Sequence, residues 1–511
     1  MAQAPYGHCE FGVDYATPPH ELPDSALADS LNCVPTRKGL LTGRKGHLRF
    51  NSTSLGSRTT SVHEFRSGTT RSKIATYGTK IGVFSEATGD FVDQITGLTD
   101  NKMFQWVNFG KKAICVNEGA NVPQYWDGSA GGDLGGSPPT GKTIIQWANR
   151  LWFGGNATEG ATLSGSVLND PTLYTGSGTA TGAVSQPVGD AGDPITGMYG
   201  YFDYLLVGKQ NTIYKVAGAP PTDATKLSIS PLYSRANESD NVGFTSPWAI
   251  TQVGNDVIFL DGFDIKSLTG IQEFGDVKHN SIIPHFRDYL ESICDKDLLQ
   301  YSKFFHYKRE EQIWVSMPMT SSTHYVFVLD YKFKDKTGRF SVFPIGGVIA
   351  SCFGGFENGT NDDIYFGDES GFVRQLDIGD NDDGAAINRY FVKVFAGNVP
   401  ASGAYGYESR RKQFLNSETY IYPTESTLTM TPSYSIDVYD HEQVLAATYT
   451  ALDSDDVSTW YGSKTKRKRV PLLGINGGTL ALKWTHSAIS ENFIFYPSLL
   501  NFGWKQTNMI V

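Results

Sequence analysis

The stretch GSPPTGKT at residues 136–143 matches the phosphate-binding P-loop pattern G-x-x-x-x-G-K-[ST] in full. In a working P-loop, backbone amides hold the phosphates, the lysine reaches their oxygens and the hydroxyl residue binds magnesium. That arrangement requires a buried strand before the glycines and a helix directly after them. Here the residues with those roles would be Gly136, Gly141, Lys142 and Thr143.

The residues around this motif do not supply the required strand and helix. YWDGSAGGDLG precedes it, which is a glycine-rich run, and IIQWANRLWFGG follows it, which reads as strand, turn and strand. Pro138 and Pro139 also remove two backbone donors from the region that would hold a phosphate. We therefore interpret the motif as a chance match in a Gly/Pro-rich connection and expect no nucleotide chemistry.

A run of carboxylates in DIGDNDDG, residues 377–384, suggests calcium at first sight. The EF-hand spacing is not met, because no glutamate follows at the required offset. We interpret the run as a solvated linker and predict no metal site. If a metal did bind here, its ligands would be Asp380, Asp382 and Asp383.

Motifs for other chemistries are absent. There is no Gly-x-Ser-x-Gly elbow between a buried strand and a helix, no HExxH or His-x-His pair, and no S-x-D-x-G-x-x-W box of sialidase-type propellers. The five cysteines are scattered without a CxxC pair, which indicates neither a disulfide framework nor a zinc site. We expect a protein without catalytic residues, cofactor or enzymatic activity.

Two clusters of basic residues stand out in a chain whose net charge is −10. One interpretation is that they are solvated turns or strand edges, where lysine prevents stray pairing. The other is that they contact an acidic neighbouring subunit or DNA phosphates. The residues are Arg37, Lys38, Arg44, Lys45 and Arg49 in the first cluster and Lys464, Lys466, Arg467, Lys468 and Arg469 in the second.

The composition predicts an all-β protein of more than one domain. The chain has 511 residues, of which 55 are glycine, 13% are aromatic and only 19% are charged. Many short aromatic strands separated by glycine turns give this profile, whereas long salt-bridged helices do not. A strongly acidic balance argues against a protein that coats DNA.

A repeated pattern from residue 58 to residue 384 predicts a β-propeller. Polar turns precede short apolar runs, as in KIATYGTKIGVFSEATGDFVDQITG, and the copies recur about every 40–50 residues. An antiparallel sandwich or barrel would also give short strands at even spacing, but six or seven copies are too many for one sandwich. Two segments interrupt the pattern: 156–194, which we interpret as a long mobile Gly/Ser/Thr loop, and about 281–296, which we predict to be a helix.

The remaining segments differ from the repeats. Residues 1–57 are irregular, with a short helix expected within 22–32, and we assign them to a platform together with residues 385–511. The C-terminal part alternates apolar and polar residues at period two, as in a β-sandwich. No signal sequence or membrane-spanning run is recognised, so we expect a protein made in the cytoplasm.

Several stretches, read in order, resemble one family. They are NCVPTRKGLLTGRKG, ANRLWFGG, GDPITGMYGYFDYLLVGKQNTIYKVAG, SPWAITQVGNDVIFLDGFDIKSLTG and YESRRKQF. The chain is similar over most of residues 32–415 to the tail nozzle proteins of short-tailed bacteriophages, the propeller-bearing group that includes tail tubular protein B.

The resemblance implies a structural protein of the virion tail. Such a protein forms a ring, usually of six copies, that continues the DNA-ejection channel and closes it before infection. Its expected partners are other copies of itself, an adaptor or portal-side protein, tail fibres or spikes, and viral DNA in transit without sequence specificity. The resemblance also implies a propeller flanked by a β-rich platform built from both termini, and we expect segment 156–194 to point toward the channel or the distal tip.

Three alternatives stay open beside this interpretation. A head-completion plug or a tail hub of the same virion would use the same kind of fold. A carbohydrate-binding or carbohydrate-cleaving propeller would account for the aromatic residues. The last alternative is a P-loop enzyme, in which Lys142→Ala would abolish function.

Overall fold

The structure is a computed structural model. It describes residues 2–6, 8–232, 242–268, 281–358, 361–395, 412–423, 427–436, 443–444, 449–452, 466–477, 479–489 and 491–504. Most of the regular structure in these residues is β-strand. The strands form many small antiparallel sheets, which build a β-propeller joined to a β-sandwich. The all-β class predicted from the composition is confirmed.

The N-terminal segment contains seven short strands that join different parts of the fold. They are β1 (Ala2–Tyr6), β2 (Gly12–Val13), β3 (Ala26–Leu27), β4 (Asp29–Leu31), β5 (Cys33–Pro35), β6 (Leu41–Gly43) and β7 (His47–Arg49). A 3-10 turn at Pro19–Glu21 lies between β2 and β3. Because each strand is short, its conformation depends on the longer strands that it pairs with.

Blades 1 to 4 each consist of four antiparallel strands in chain order. Blade 1 consists of β8 (Thr59–Ser67), β9 (Thr70–Tyr77), β10 (Lys80–Ser85) and β11 (Asp90–Ile95), and blade 2 of β12 (Gln105–Phe109), β13 (Lys112–Val116), β14 (Gln124–Trp126) and β15 (Gly131–Asp133). Blade 3 consists of β16 (Thr143–Trp147), β17 (Arg150–Gly154), β18 (Thr162–Gly165) and β19 (Val184–Pro187). Blade 4 consists of β20 (Ile195–Tyr201), β21 (Tyr204–Lys209), β22 (Ile213–Ala217) and β23 (Ser228–Pro231). A 3-10 turn, Ala224–Lys226, precedes the last of these.

Blades 5 to 7 complete the ring. Blade 5 consists of β24 (Ile250–Val253), β25 (Asp256–Asp261) and β26 (Asp264–Ser267). Blade 6 contains β27 (Lys303–Tyr307), β28 (Gln312–Pro318), β29 (His324–Asp330) and β30 (Ser341–Ile345), and blade 7 contains β31 (Cys352–Asn358), β32 (Asn361–Gly367) and β33 (Val373–Leu376). Helices α1 (Arg287–Ile293) and α2 (Lys334–Thr337) and 3-10 turns at Lys296–Tyr301 and Lys308–Glu310 connect them.

The described residues therefore contain seven blades, and the chain's own N-terminal segment closes their ring. The first strands of successive blades lie against one another, and β31 of blade 7 contacts β8 of blade 1. A Cβ added to Gly354 would lie 2.5 Å from the carbonyl oxygen of Val62, so this close approach requires glycine. Strand β7 pairs antiparallel with β33 as the outermost strand of blade 7, and β2 and β3 extend blade 6.

Closure by β7 gives a first prediction, which concerns the amide of Leu48. The amide of Phe50 donates to the carbonyl of Val373 at 2.8 Å, and antiparallel amides alternate in direction, so the Leu48 amide also faces β33. Leu48→Pro removes that donor and is expected to lower the free energy of unfolding by about 1–3 kcal/mol. Thermal unfolding and proteolysis of blade 7 measure the loss. The control Leu48→Ala keeps the amide, and equal melting of the two variants would contradict this role of β7.

The C-terminal part and four N-terminal strands form the sandwich, which we call the platform. Its strands are β34 (Arg389–Phe395), β35 (Lys412–Pro423), β36 (Thr427–Ile436), β37 (Gln443–Val444), β38 (Tyr449–Leu452), β39 (Lys466–Gly477), β40 (Leu480–His486) and β41 (Phe493–Trp504). One sheet has the order β39-β35-β41-β6-β5, with β1 on β41, and the other has the order β37-β36-β40-β34-β4, with β38 on β36. The sheets pack face to face, with the rings of Phe391 and Phe495 4.8 Å apart.

The segment 156–194 was expected to be one long mobile loop, and this prediction is wrong. It contains β18 and β19, which complete blade 3 as its third and fourth strands. Leu163 and Val184 pack in the core of that blade. These strands have four residues each and few apolar side chains, so their sequence lacks the alternation that would reveal them.

Two helix predictions also need correction. The helix expected over 281–296 is an α-helix only at Arg287–Ile293, because Pro284 keeps the residue before it out of helical conformation. Ile282 and Ile283 are still buried, as their spacing predicted, but in an irregular approach to the helix. The short helix expected within 22–32 is replaced by β3 and β4, which pair with β2 and β34. Tertiary pairing overrides the weak helical preference there.

Candidate functional site at the junction of platform and propeller

Several residues singled out in the sequence meet where the platform, blade 7 and the N-terminal segment join, a region that we call the junction. It is built around two buried guanidinium groups, those of Arg44 and Arg389, and the segment that follows β33. Arg44 lies between β6 and β7 and is 3% exposed, while Arg389 begins β34 and is fully buried. Buried charges require partners, so their contacts define the junction.

Arg44 binds Asp382 through both oxygens of the carboxylate. Its Nη1 donates to Oδ1 at 2.8 Å and its Nη2 to Oδ2 at 2.6 Å. The same guanidinium donates through Nε to Oδ1 of Asn32 at 2.7 Å and through Nη2 to the carbonyl of Gly346 at 2.7 Å. Planar bidentate geometry of this kind fixes orientation as well as contributing energy. Arg44 therefore connects the platform strands, the end of blade 6 and the segment after blade 7.

Arg389 connects the same segments through backbone carbonyls. It donates to the carbonyl of Arg44 at 3.0 Å, of Asp380 at 3.2 Å and of Glu491 at 2.8 Å. Desolvation lowers the pKa of Arg389. A Cβ added to Gly43 would lie 2.4 Å from Cδ of Arg389, so the backbone passes as close as glycine allows. These hydrogen bonds join the platform, the N-terminal segment and the segment after blade 7.

The three carboxylates named as conditional metal ligands bind separate partners. Asp380 accepts from Asn492 Nδ2 at 2.8 Å, and Asp382 is held by Arg44. Asp383 pairs with Arg49 at 2.6 Å and with Arg374 at 3.2 Å. Across the ranges that the structure describes, no group of three or more His, Cys, Asp or Glu side chains could hold a metal. The segment 377–384 is thus an ion-paired part of the junction and not a free solvated linker.

The structure separates the basic residues that were grouped by sequence. Arg44 is buried, so for this residue both interpretations of the cluster are wrong: it is neither a solvated edge residue nor exposed to a neighbouring subunit or DNA. Arg37, Lys38 and Lys45 are exposed, and Arg49 is exposed but paired with Asp383. Arg469 is exposed on β39. Lys464 and the side chains of Lys466, Arg467 and Lys468 lie outside the described residues.

The P-loop match leads into a strand. Thr143 is buried as the first residue of β16, and its hydroxyl donates to Gln105 Oε1 at 2.8 Å. The amide of Lys142 donates to the carbonyl of Gly154, and the Lys142 side chain is exposed. Gly136 has a φ of +85° in the preceding connection. Without a helix after Gly141, the amides needed to hold a phosphate do not converge here.

A second feature, which the sequence did not reveal, is a cavity of about 240 Å³ near the propeller axis. We call it the axial cavity, and it is lined by residues at the beginnings of inner strands together with the approaches to them. Trp248, before blade 5, crosses to blade 2, where its Nε1 donates to the carbonyl of Phe104 at 3.1 Å. The amide of Phe304 donates to the carbonyl of Trp248 at 3.0 Å. These hydrogen bonds join blade 2, the approach to blade 5 and the first strand of blade 6 at the wall of the cavity.

His63 belongs to the wall of the axial cavity, and its imidazole is only weakly basic. Its ring stacks on Trp106 with centroids 5.3 Å apart, and Nε2 lies 3.1 Å from Asn108 Oδ1. Desolvation lowers the pKa of His63 to about 4, although part of the ring reaches the cavity. The imidazole is therefore neutral and serves as an aromatic wall.

The fold and the junction together define a class: a seven-bladed β-propeller, within the described residues, locked to a sandwich platform. None of the helices in the described part of the chain has the length and hydropathy to cross a bilayer.

No protein-family model matches this chain, and no curated protein does. Among solved structures, BamB from Moraxella catarrhalis is similar at 13% identity and a TM-score of 0.37, over 69% of this chain and 97% of the other. The Cps50 (Swd1) β-propeller domain of Myceliophteria thermophila is similar at 12% identity and a TM-score of 0.39, over 65% and 99%.

Proposed function

We propose that this protein is a non-enzymatic structural subunit of the nozzle of a short phage tail. In this role, about six copies form a ring that continues the DNA-ejection channel, contacts an adaptor or portal-side protein above, and docks fibres or spikes. The observation that carries the proposal is the architecture: both termini build one platform, and the N-terminal segment also closes the propeller. This is the arrangement that the resemblance of residues 32–415 implies.

The rigidity of the junction suits a protein that bears pressure. The N-terminal segment supplies strands to both the platform and the propeller, and the two parts are also joined by the Arg44–Asp382 ion pair and by one cluster of buried apolar side chains that includes Phe343, Phe391 and Phe495. Separate domains with a small polar interface would move relative to one another. A subunit of a closed ring that retains packaged DNA needs the opposite property.

The DNA path in this proposal runs between subunits and not through the propeller. Trp248 joins the approach to blade 5 to blade 2 through its hydrogen bond to the carbonyl of Phe104, and the proposed channel is enclosed by several copies of the chain. The net charge of −10 suits a conduit, because an acidic wall does not hold a polyanion that must pass. Lys38 is exposed, and Arg37 is exposed although its Nη2 also donates to the carbonyl of Arg309 at 3.1 Å; both would face an acidic surface of the neighbouring copy.

The test combines particle imaging with mass measurement of the purified protein. We expect a species near six times the 56.0 kDa subunit mass and density for this fold at the tail tip of the particle that contains it. Arg37→Glu with Lys38→Glu should shift the ring toward monomers, whereas Lys111→Glu with Lys112→Glu, an equal change of charge on blade 2, should not. Density in the head-completion region, or a monomer absent from particles, would overturn the proposal.

A further inference from the structure

The ammonium group of Lys73 lies in a cage of three aromatic rings. Its Nζ lies 4.7 Å from the ring centroid of Phe50, 5.3 Å from that of Phe84 and 5.8 Å from that of Phe356. Aromatic faces attract cations that lie within about 6 Å of the ring centroid, so all three rings stabilise a positive charge at this point. We call the three rings, with the space that Nζ occupies between them, the aromatic cage.

The aromatic cage spans the place where the propeller ring closes. Lys73 belongs to β9 and Phe84 to β10, both in blade 1, while Phe356 belongs to β31 of blade 7. Phe50 directly follows β7, the outermost strand of blade 7. The ring centroids of Phe50 and Phe84 are 4.3 Å apart, and those of Phe50 and Phe356 are 5.9 Å apart. Three separate parts of the fold therefore supply the walls.

The remaining side of the ammonium group faces an exposed carboxylate. Within the described residues the one hydrogen-bond acceptor of Nζ is Glu86 Oε1, at 3.4 Å. The Glu86 side chain is 82% exposed and that of Lys73 is 31% exposed, so the ammonium group has a short path to water. Desolvation and nearby carboxylates, first that of Asp363, raise the pKa of Tyr365, whose ring lies 5.2 Å from that of Phe50. The surroundings of the cage thus favour a cation.

The distances in the cage suit an ammonium group that carries methyl groups. A methyl carbon contacts an aromatic carbon at about 3.5–4.0 Å, and a C–N single bond is about 1.45 Å long. The nitrogen of a methylated ammonium group therefore rests about 4–5.5 Å from a ring that its methyl groups touch. Phe50 and Phe84 lie at such distances from Nζ. The ammonium group of lysine is strongly hydrated, so a quaternary ammonium group loses less solvation when it enters the cage.

We propose that the aromatic cage binds the quaternary ammonium group of a free small molecule such as choline, and that Lys73 is the internal competitor of this ligand. When the ligand enters, the ammonium group of Lys73 leaves toward Glu86 and water. The bound ligand joins blade 1, blade 7 and the segment after β7, so it stabilises the closed propeller in proportion to its concentration. The site is independent of the nozzle role, because all of its residues belong to one chain.

The first experiment follows Lys73 in the full-length wild type, with choline as the probe. An amine-acetylating reagent labels lysines according to their accessibility, and mass spectrometry locates each label. Saturating choline should raise the labelling rate of Lys73 severalfold, because its ammonium group is expelled to water. Lys80, whose Nζ pairs with Asp93 at 2.6 Å outside the cage, should be labelled at the same rate with and without choline. An unchanged rate at Lys73 would overturn the proposal on the native chain, without any variant.

Calorimetric titration of variants measures the competition. Lys73→Ala should bind choline at least about tenfold more tightly than the wild type, with a Kd of about 1 mM or lower, because the competitor is gone. Lys112→Ala removes a cation that lies 4.1 Å over the single ring of Tyr125, and it should bind as the wild type does. Adding Phe84→Leu to Lys73→Ala keeps an apolar side chain but loses one ring face, so affinity should fall about tenfold. Circular dichroism confirms that each variant is folded.

Ligand analogues separate the charge from the shape and identify the source of the ligand. The neutral tert-butyl analogue of choline and the unmethylated ethanolamine should each bind Lys73→Ala at least about fivefold more weakly than choline. Phosphatidylcholine vesicles should not bind, because Phe356 is only 2% exposed and a head group at a flat bilayer does not reach it. Equal affinity for choline and its neutral analogue, no binding to Lys73→Ala below about 10 mM, or binding to vesicles alone would each overturn the proposal.

Discussion

Arg44→Met is expected to lower the free energy of unfolding by about 3–5 kcal/mol, since it leaves the carboxylate of Asp382 buried without its bidentate partner. The same change leaves Asn32 and the carbonyl of Gly346 without a donor. Because these groups belong to different parts of the fold, we expect the platform and the propeller to unfold in separate steps. Differential scanning calorimetry would show the single transition split in two.

The control for this prediction is the adjacent residue. Lys45 is exposed, and its Nζ lies 4.0 Å from Asp377, so Lys45→Met should change stability by less than about 0.5 kcal/mol. Combining Arg44→Met with Asp382→Asn should recover part of the loss, because the unpaired charge is removed along with its partner. Melting of Arg44→Met at the wild-type temperature would contradict the mechanical role given to the junction.

Arg150→Met is expected to destabilise blade 3 by at least about 3 kcal/mol. Arg150 is fully buried and donates to five backbone carbonyls, each of which would lose a charge-assisted hydrogen bond. The acceptors are those of Ser166 at 2.7 Å, Ala180 at 2.9 Å, Thr181 at 3.4 Å, Gly182 at 2.5 Å and Thr222 at 3.1 Å. Four of these lie in residues 166–182, the connection between β18 and β19, so that connection should become accessible to protease.

Time-resolved proteolysis with mass mapping measures this effect. Cleavage in the connection should be faster in Arg150→Met than in the wild type, and hydrogen exchange of β18 and β19 should rise with it. Lys142→Met changes an exposed cation of the same blade and should leave both measurements unaltered. If the connection is cut equally fast in all three proteins, Arg150 does not organise it.

Comparison of particular elements shows what could be read from the sequence. The turn in WANRLWFGG was predicted from the sequence. In the structure Ala148 and Asn149 have φ of +48° and +56°, as a two-residue hairpin turn requires. Longer strands with alternating residues, such as β34 with its regular burial pattern, were equally readable. Strands β18 and β19 could not be predicted, because each has only four residues with few apolar side chains, and their pairing is set by contacts within the folded blade.

The roles of charged residues could not be derived from local sequence. Arg44 and Lys45 are neighbours with the same charge, yet one is buried and the other exposed, because Asp382 lies 338 positions from Arg44. Lys73 lies in an ordinary strand, and its aromatic surroundings depend on Phe50 and Phe356, which reach it only in the folded chain.

The sequence by itself determined the all-β class, because the period of apolar residues and the glycine turns are local properties that each short strand carries. Only the tertiary structure decided that the N-terminal segment closes blade 7, that Trp248 bonds to Phe104 of blade 2, and that the junction and the axial cavity exist. These features rest on contacts between residues hundreds of positions apart, as between Arg389 and Arg44, 345 positions apart. Pairing at that range depends on the assembled shape, which no local pattern encodes.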